Sequence, residues 1–304
     1  MRTPNPPHQS PRRRAPKGTP PRPAAPREAS PATPTRPARE RGDNWLYGRH
    51  AVAAALANPL RRWRRLAILA GQESEAAALV LAARAERRGA KAHPGGEAVE
   101  VLDRAAFNLL LPDGAVHQGW ALAVDPLDPP DLDDVLRAAP AGPGSSPGSL
   151  PGRSIVVVLD QVSDPHNVGA VLRSAAAFGA AAVIIAEHGA PPVSGVLAKA
   201  ASGALDCVPL VRAVNLARAL DRLKEAGYWC CGLDESAQTP LATLDLGARV
   251  VFVLGSEGGG LRRLVRERCD YLARLPTLPA LPSLNVSNAA AIALYELVRG
   301  GAAG

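Results

Sequence analysis

The chain has 304 residues, enough for two domains with cores of their own, and a formal net charge of +7 from 35 Lys and Arg against 28 Asp and Glu. No apolar run approaches the roughly 20 residues that span a bilayer, the N-terminus has no apolar stretch of a secretory signal, and neither the four cysteines nor the six histidines are spaced as metal ligands. A helical membrane protein, a disulfide scaffold and a zinc module are excluded, and a cytoplasmic protein with reduced thiols, no metal and a polyanionic partner is expected.

The charge is unevenly placed. Residues 1–43 carry ten Lys or Arg against three Asp or Glu and hold twelve of the thirty prolines. With few large apolar side chains, this segment cannot offset its ordering entropy and reads as a disordered basic tail. Two roles fit it: an arm that lengthens residence on RNA through phosphate contacts, or a solubilising appendage. Beyond it the charges balance, at 25 of each sign.

Residues 44–125 read as a small α/β unit. Its predicted elements are a helix over 48–56, a strand over 66–70, an amphipathic helix over 74–88 capped by Ser74 and stopped by Gly89, a helix over 99–111 and a strand over 119–124. A Pro-, Gly-, Ser- and Asp-rich linker follows over 126–152, with one helical turn at 132–137. From 153 to 304 apolar runs alternate with helical patterns. Strands are expected at 154–159, 181–186, 207–210, 229–233, 250–254 and 272–275, and helices at 168–178, 196–202, 216–226, 261–268 and 288–298. Alternation of this kind implies a parallel sheet covered on both faces.

Three turns in this half carry the chemistry. The first, Asp160 to Asn167, ends on an Asn placed to cap the next helix. That helix is small or apolar except for Arg173 and reads as buried, which leaves two readings of its guanidinium: paired with an anion (a carboxylate, a phosphate or a developing alkoxide), or facing solvent. In the second, glycines 255, 258, 259 and 260 surround Glu257, allowing close backbone approach to a ligand. The order differs from G-x-G-x-x-G, and no glycine-rich loop follows the first strand, which counts against a Rossmann-type dehydrogenase or methyltransferase. The third places Ser283, Asn285, Ser287 and Asn288 before the last helix. Ser287 or Asn288 is expected to cap it, leaving Ser283 and Asn285 for a ligand.

In order, Asp164-Pro165-x-Asn167-x-Gly169 with Arg173, Gly255-x-Glu257-Gly258-x-Gly260 and Ser283-Leu284-Asn285-Val286-Ser287 resemble the three motifs of the SpoU-type RNA 2′-O-methyltransferases of the SPOUT superfamily. The resemblance covers residues 155–299. It implies a C-terminal α/β domain closed by a deep trefoil knot, S-adenosylmethionine held at Gly255, Leu275 and Leu284, and a homodimer whose sites are completed by the partner. It also implies that Asn167, Arg173, Glu257, Ser283 and Asn285 serve catalysis. Because a guanidinium keeps its proton in proteins, Arg173 is expected to stabilise charge and anchor phosphate. Residues 47–52 and 117–119 resemble, more loosely, the small RNA-binding domain of the branch that methylates a guanosine ribose in the peptidyl-transferase region of 23S rRNA. A tRNA ribose methyltransferase and a non-catalytic ribosome-assembly factor are the alternatives. Pro279 and Pro282 depart from the family pattern and bear on the cofactor loop.

Overall fold

The computed structural model describes residues 44–86, 98–138, 153–278 and 283–301. The basic tail, the Gly89 helix stop, residues 139–152 of the linker, Pro279 and Pro282 lie outside the described residues.

The first group of elements runs β1 (Asn44–Tyr47), α1 (Arg49–Ala57), β2 (Trp63–Leu69), α2 (Glu73–Glu86), β3 (Ala98–Leu102), α3 (Arg104–Leu110) and β4 (Trp120–Val124). The strands form one sheet in the order β1-β4-β2-β3, with only β2 and β3 parallel. Period-two alternation sorts β2: Leu66 and Ile68 enter the main core, while Ala67 packs on the other face with Phe107 and Leu111.

Two expectations are corrected in this region. The segment 99–111 is a strand followed by a helix, not one helix. Asp103 breaks it, its side chain accepting from the Ala106 N–H at 2.8 Å as the α3 cap. Ser74 lies inside α2, which begins at Glu73, so it is not the cap. The strand β1 carried no sequence signal, being only four residues long and paired with β4.

The second group runs α4 (Leu132–Ala138), β5 (Ser154–Leu159), α5 (Pro165–Ala177), β6 (Ala182–Ala186), α6 (Gly195–Ala201), β7 (Leu210–Ala213), α7 (Leu216–Glu225), β8 (Trp229–Leu233), β9 (Thr239–Pro240), β10 (Arg249–Leu254), α8 (Arg263–Arg266), β11 (Tyr271–Arg274) and α9 (Val286–Gly301). Its sheet, ordered β7-β6-β5-β10-β8-β11-β9, is parallel throughout. The interior strand β5 is buried on both faces. Ile155 and Val157 share a core with Val171, Leu197 and Leu294, whereas Val156 and Val158 share one with Leu132, Leu220 and Val265. Continuous apolar runs mark such strands because neither face meets water. The strand expected at 207–210 forms three residues later, since residues 204–206 make a 3-10 turn.

A buried ion pair joins the two groups. Arg61 and Asp206, each about 3% exposed, meet at 2.9 Å from Nε and 3.2 Å from Nη2, and Asn58 Nδ2 donates to the same carboxylate at 2.9 Å. Farther along the same junction, Gln118 Oε1 accepts from Lys199 Nζ on α6 at 3.2 Å and from the Arg49 N–H at 3.3 Å.

Candidate active site

All three polar turns leave the carboxyl ends of neighbouring strands or lead into the last helix, the place where open α/β sheets bind ligands. The first begins at Asp160, after β5, and feeds α5. Asp164 caps that helix, accepting from the His166 N–H at 2.9 Å, with Pro165 in its first turn. The expected cap, Asn167, therefore lies within the helix. Its side chain is free to point across to the second turn.

There it meets Glu257. Asn167 Nδ2 donates to Glu257 Oε1 at 3.2 Å, Asn285 Nδ2 donates to the same oxygen at 2.6 Å, and Asn285 Nδ2 also lies 3.0 Å from Asn167 Oδ1. Residues separated by 90 and 118 positions thus form one polar cluster. Asn285 also starts α9. Its Oδ1 accepts from the Ser287 N–H at 2.9 Å and from Ser287 Oγ at 2.5 Å. Neither Ser287 nor Asn288 is the cap; Asn285 is, and it serves the cluster through its other atom.

The glycine turn is built by close approach. A Cβ on Gly255 would stand 2.1 Å from the backbone of Gly260, so the loop folds back only because that atom is absent. Gly258 and Gly260 take φ of 77° and 59°, a region costly for other residues. A cavity of about 300 Å³ opens beside this loop. Gly255, Glu257, Leu275, Ser283 and Leu284 are on its wall, with Leu233, Asp234 and Glu235 opposite at the end of β8. Ser283 lines the cavity but makes no hydrogen bond to the Asn167–Glu257–Asn285 cluster among the described residues.

Arg173 corrects an expectation. It is exposed and makes no hydrogen bond or ion pair among the described residues. Val168, Val171, Leu172 and Ala175 form the buried face of α5, while His166, Ala170, Arg173 and Ala177 follow its open face. An alanine-rich helix can look apolar all round and still leave a stripe uncovered, because alanine costs little in water. On α9, Ile292 and Tyr295 are also exposed, and the Tyr295 ring meets Phe178 edge-on at 6.3 Å.

Sequence reasoning assigned no role to Asp160, Asp234, Glu235 or Arg262. Each of the three acidic residues follows an apolar strand directly or by one position, and that placement was the available signal. Asp234 is tied down: Ser236 N–H and Oγ donate to it at 2.8 and 2.6 Å, and Arg266 Nη1 stands 3.0 Å away.

The residues expected to mark an RNA-binding unit, 47–52 and 117–119, meet one another. The Arg49 N–H donates to Gln118 Oε1 at 3.3 Å, and the Gly48 N–H donates at 3.0 Å to the carbonyl of Trp120, the residue after the second segment. His117 Nδ1 accepts from the Gly119 N–H at 3.0 Å, so Nε2 carries the proton and donates to Asn108 Oδ1 at 3.1 Å. Burial, then the cations Arg104 and Lys199, push the His117 imidazole below its ordinary value. Burial pushes the thiols of Cys230, Cys231 and Cys269 up to about 12, so all three are unreactive near neutral pH. Among the described residues no group of His, Cys, Asp and Glu has the geometry of a metal site, and no helix is long and apolar enough to cross a membrane.

Residues 154–295 match the SpoU rRNA Methylase family. The chain is 38% identical over 260 residues to the 23S rRNA (guanosine-2'-O-)-methyltransferase RlmB of Xylella fastidiosa, covering 84% of this chain and 96% of that one. It is 37% identical over 254 residues to the protein of the same name from Coxiella burnetii, covering 84% and 94%. The fold matches that of the SpoU methyltransferase AviRb from Streptomyces viridochromogenes, crystallised with AdoMet, with a TM-score of 0.64 at 24% identity over 86% of this chain and 92% of that one.

Proposed function

Because the chain belongs to the SpoU rRNA Methylase family, we propose that it transfers a methyl group from S-adenosylmethionine to a ribose 2′-hydroxyl, that of a guanosine in the peptidyl-transferase region of 23S rRNA. One observation carries this reading: Asn167 and Asn285 converge on the single carboxylate of Glu257, at the rim of a cavity lined by glycine backbone. The cavity suits the donor. Leu233, Leu254, Leu275 and Leu284 offer apolar surface, Glu235 and Glu257 offer negative charge, and about 300 Å³ lies at the lower end of small-ligand sites.

The bound donor would supply a methyl group already activated on a sulfonium, so no metal or covalent intermediate is required. This chain's residues must then hold the sugar and manage charge. Gly255 and the leucines at 275 and 284 would position the donor. Glu257 fixes both asparagines, leaving Asn167, Asn285 and Ser283 to orient the ribose for in-line attack. Arg173 would stabilise the negative charge that grows on the 2′-oxygen as the hydroxyl proton passes to phosphate or water, and would anchor a neighbouring phosphate.

In a single chain Arg173 stands on an open face. We therefore read the exposed stripes of α5 and α9, with Ile292 and Tyr295, as a homodimer interface that brings Arg173 to a site shared by two protomers. The deep trefoil knot that the family resemblance implies is assigned to the region carrying the glycine loop, β11 and α9. The small sheet and its helices, residues 44–125, are read as the RNA-binding domain of a cytoplasmic enzyme.

Arg173→Ala is expected to abolish tritium transfer from labelled S-adenosylmethionine to 23S rRNA while calorimetric binding of the donor is retained. Joint loss of binding and transfer would assign Arg173 to structure. Absence of transfer by the unsubstituted protein would favour a non-catalytic assembly factor.

A further inference from the structure

Asp160 is wholly buried, at 0% exposure, and stands at the end of the interior strand β5. A carboxylate so placed requires partners that satisfy its charge. It has two from one residue: the Arg262 backbone N–H at 2.8 Å on one oxygen, and Arg262 Nε at 2.7 Å on the other. The backbone N–H of Asp160 donates in turn to the Leu254 carbonyl at 2.8 Å, one step beyond the register in which Leu254 pairs Leu159.

The consequence is geometric. Leu254 and Arg262 are the residues on either side of the glycine loop, Gly255 to Leu261, so Asp160 grips both ends of it. Inside the loop, the Gly260 N–H donates to the Ser256 carbonyl at 2.9 Å and narrows the neck. The same turn that begins with Asp160 leads to Asn167, which holds Glu257 at the crest. One turn therefore fixes the loop at its base and at its tip. For stability alone, apolar side chains of similar volume would serve as well as this half-buried ion pair. What an apolar residue could not do is set the position of the Arg262 N–H against the end of β10.

We propose that the Asp160–Arg262 pair is a positioning clamp that holds the glycine loop in the shape that binds S-adenosylmethionine. The proposal rests on the reading of the adjoining cavity as the donor site. Neither residue lines the cavity, so their action on the donor passes through loop backbone. The Arg262 side chain is half exposed and its two terminal nitrogens make no further bond among the described residues, which leaves the outward face of the guanidinium as a rival explanation.

The test uses full-length protein with Arg262→Gln, Arg262→Lys and Asp160→Asn. Two quantities are read: the calorimetric dissociation constant for S-adenosylmethionine, and hydrogen exchange at amides 255–262 compared with those of β2 and β4. Losing a charge-assisted hydrogen bond is expected to raise the dissociation constant and the loop exchange by about ten- to a hundredfold. Arg262→Lys is expected to recover part of both, and exchange in β2 and β4 stays as it was. Should Asp160→Asn fail to fold, the two Arg262 variants carry the test.

Three results overturn the clamp. An unchanged dissociation constant with a raised KM for RNA would make Arg262 a phosphate contact. Faster exchange throughout the protein would make the pair a general stabiliser. Unchanged binding and unchanged loop exchange would leave the pair without effect on the site. Failure of the unsubstituted protein to bind S-adenosylmethionine would instead overturn the reading of the cavity, and is seen before any variant is made.

Discussion

Asn285 uses one amide group twice. Its oxygen caps α9 through Ser287, and its nitrogen reaches Glu257 and Asn167. The two roles separate by substitution. Asn285→Ser keeps a cap and loses the reach, so its unfolding midpoint should match the unsubstituted protein while methyl transfer falls at least tenfold. Asn285→Ala should lose about 1 kcal/mol of stability in addition. A serine variant with full transfer activity would remove Asn285 from the site. The sequence made this residue visible as polar and unaccounted for, but it misplaced the cap, because capping preference names residue types and does not count turns. Arg173 was misplaced for a different reason. Its helix was judged buried by composition, and composition cannot tell which alanines face water.

Among the elements, the buried strands were the most legible. Runs such as 154–159 and 250–254 are apolar without interruption, and only a strand between covered faces needs that. Short apolar segments at the edge were not legible: 99–111 holds too few residues for periodicity to separate a strand and helix from one helix. The junction of α1 with the 3-10 turn at 204–206 was invisible, since Arg61 and Asp206 lie 145 positions apart. It gives a stability prediction. Arg61→Met leaves a buried carboxylate without its cation, held by Asn58 alone among the described residues, and should cost about 3–5 kcal/mol in urea unfolding. Adding Asp206→Leu should restore most of that loss. A double variant no more stable than the single one would contradict the account of this pair.

For the molecule as a whole, alternating elements disclosed a parallel α/β sheet, and three separated turns contained the residues, Asn167, Glu257 and Asn285, that the fold brings together. What stayed hidden is what depends on long-range geometry: which oxygen Asn167 and Asn285 share, the clamp at Asp160, and the open face bearing Arg173. A sequence lists groups that can hydrogen-bond, and the fold alone decides which of them meet. The central claim is that these groups meet to methylate a ribose of ribosomal RNA. It is tested most directly by mapping 2′-O-methyl groups in 23S rRNA and tRNA from cells with the gene, without it, and with the Arg173→Ala form. The account predicts that one guanosine of the peptidyl-transferase region loses its ribose methyl without the gene, and that only the unsubstituted gene restores it. An unchanged 23S rRNA pattern would contradict it, and a methyl missing from tRNA instead would move the substrate there.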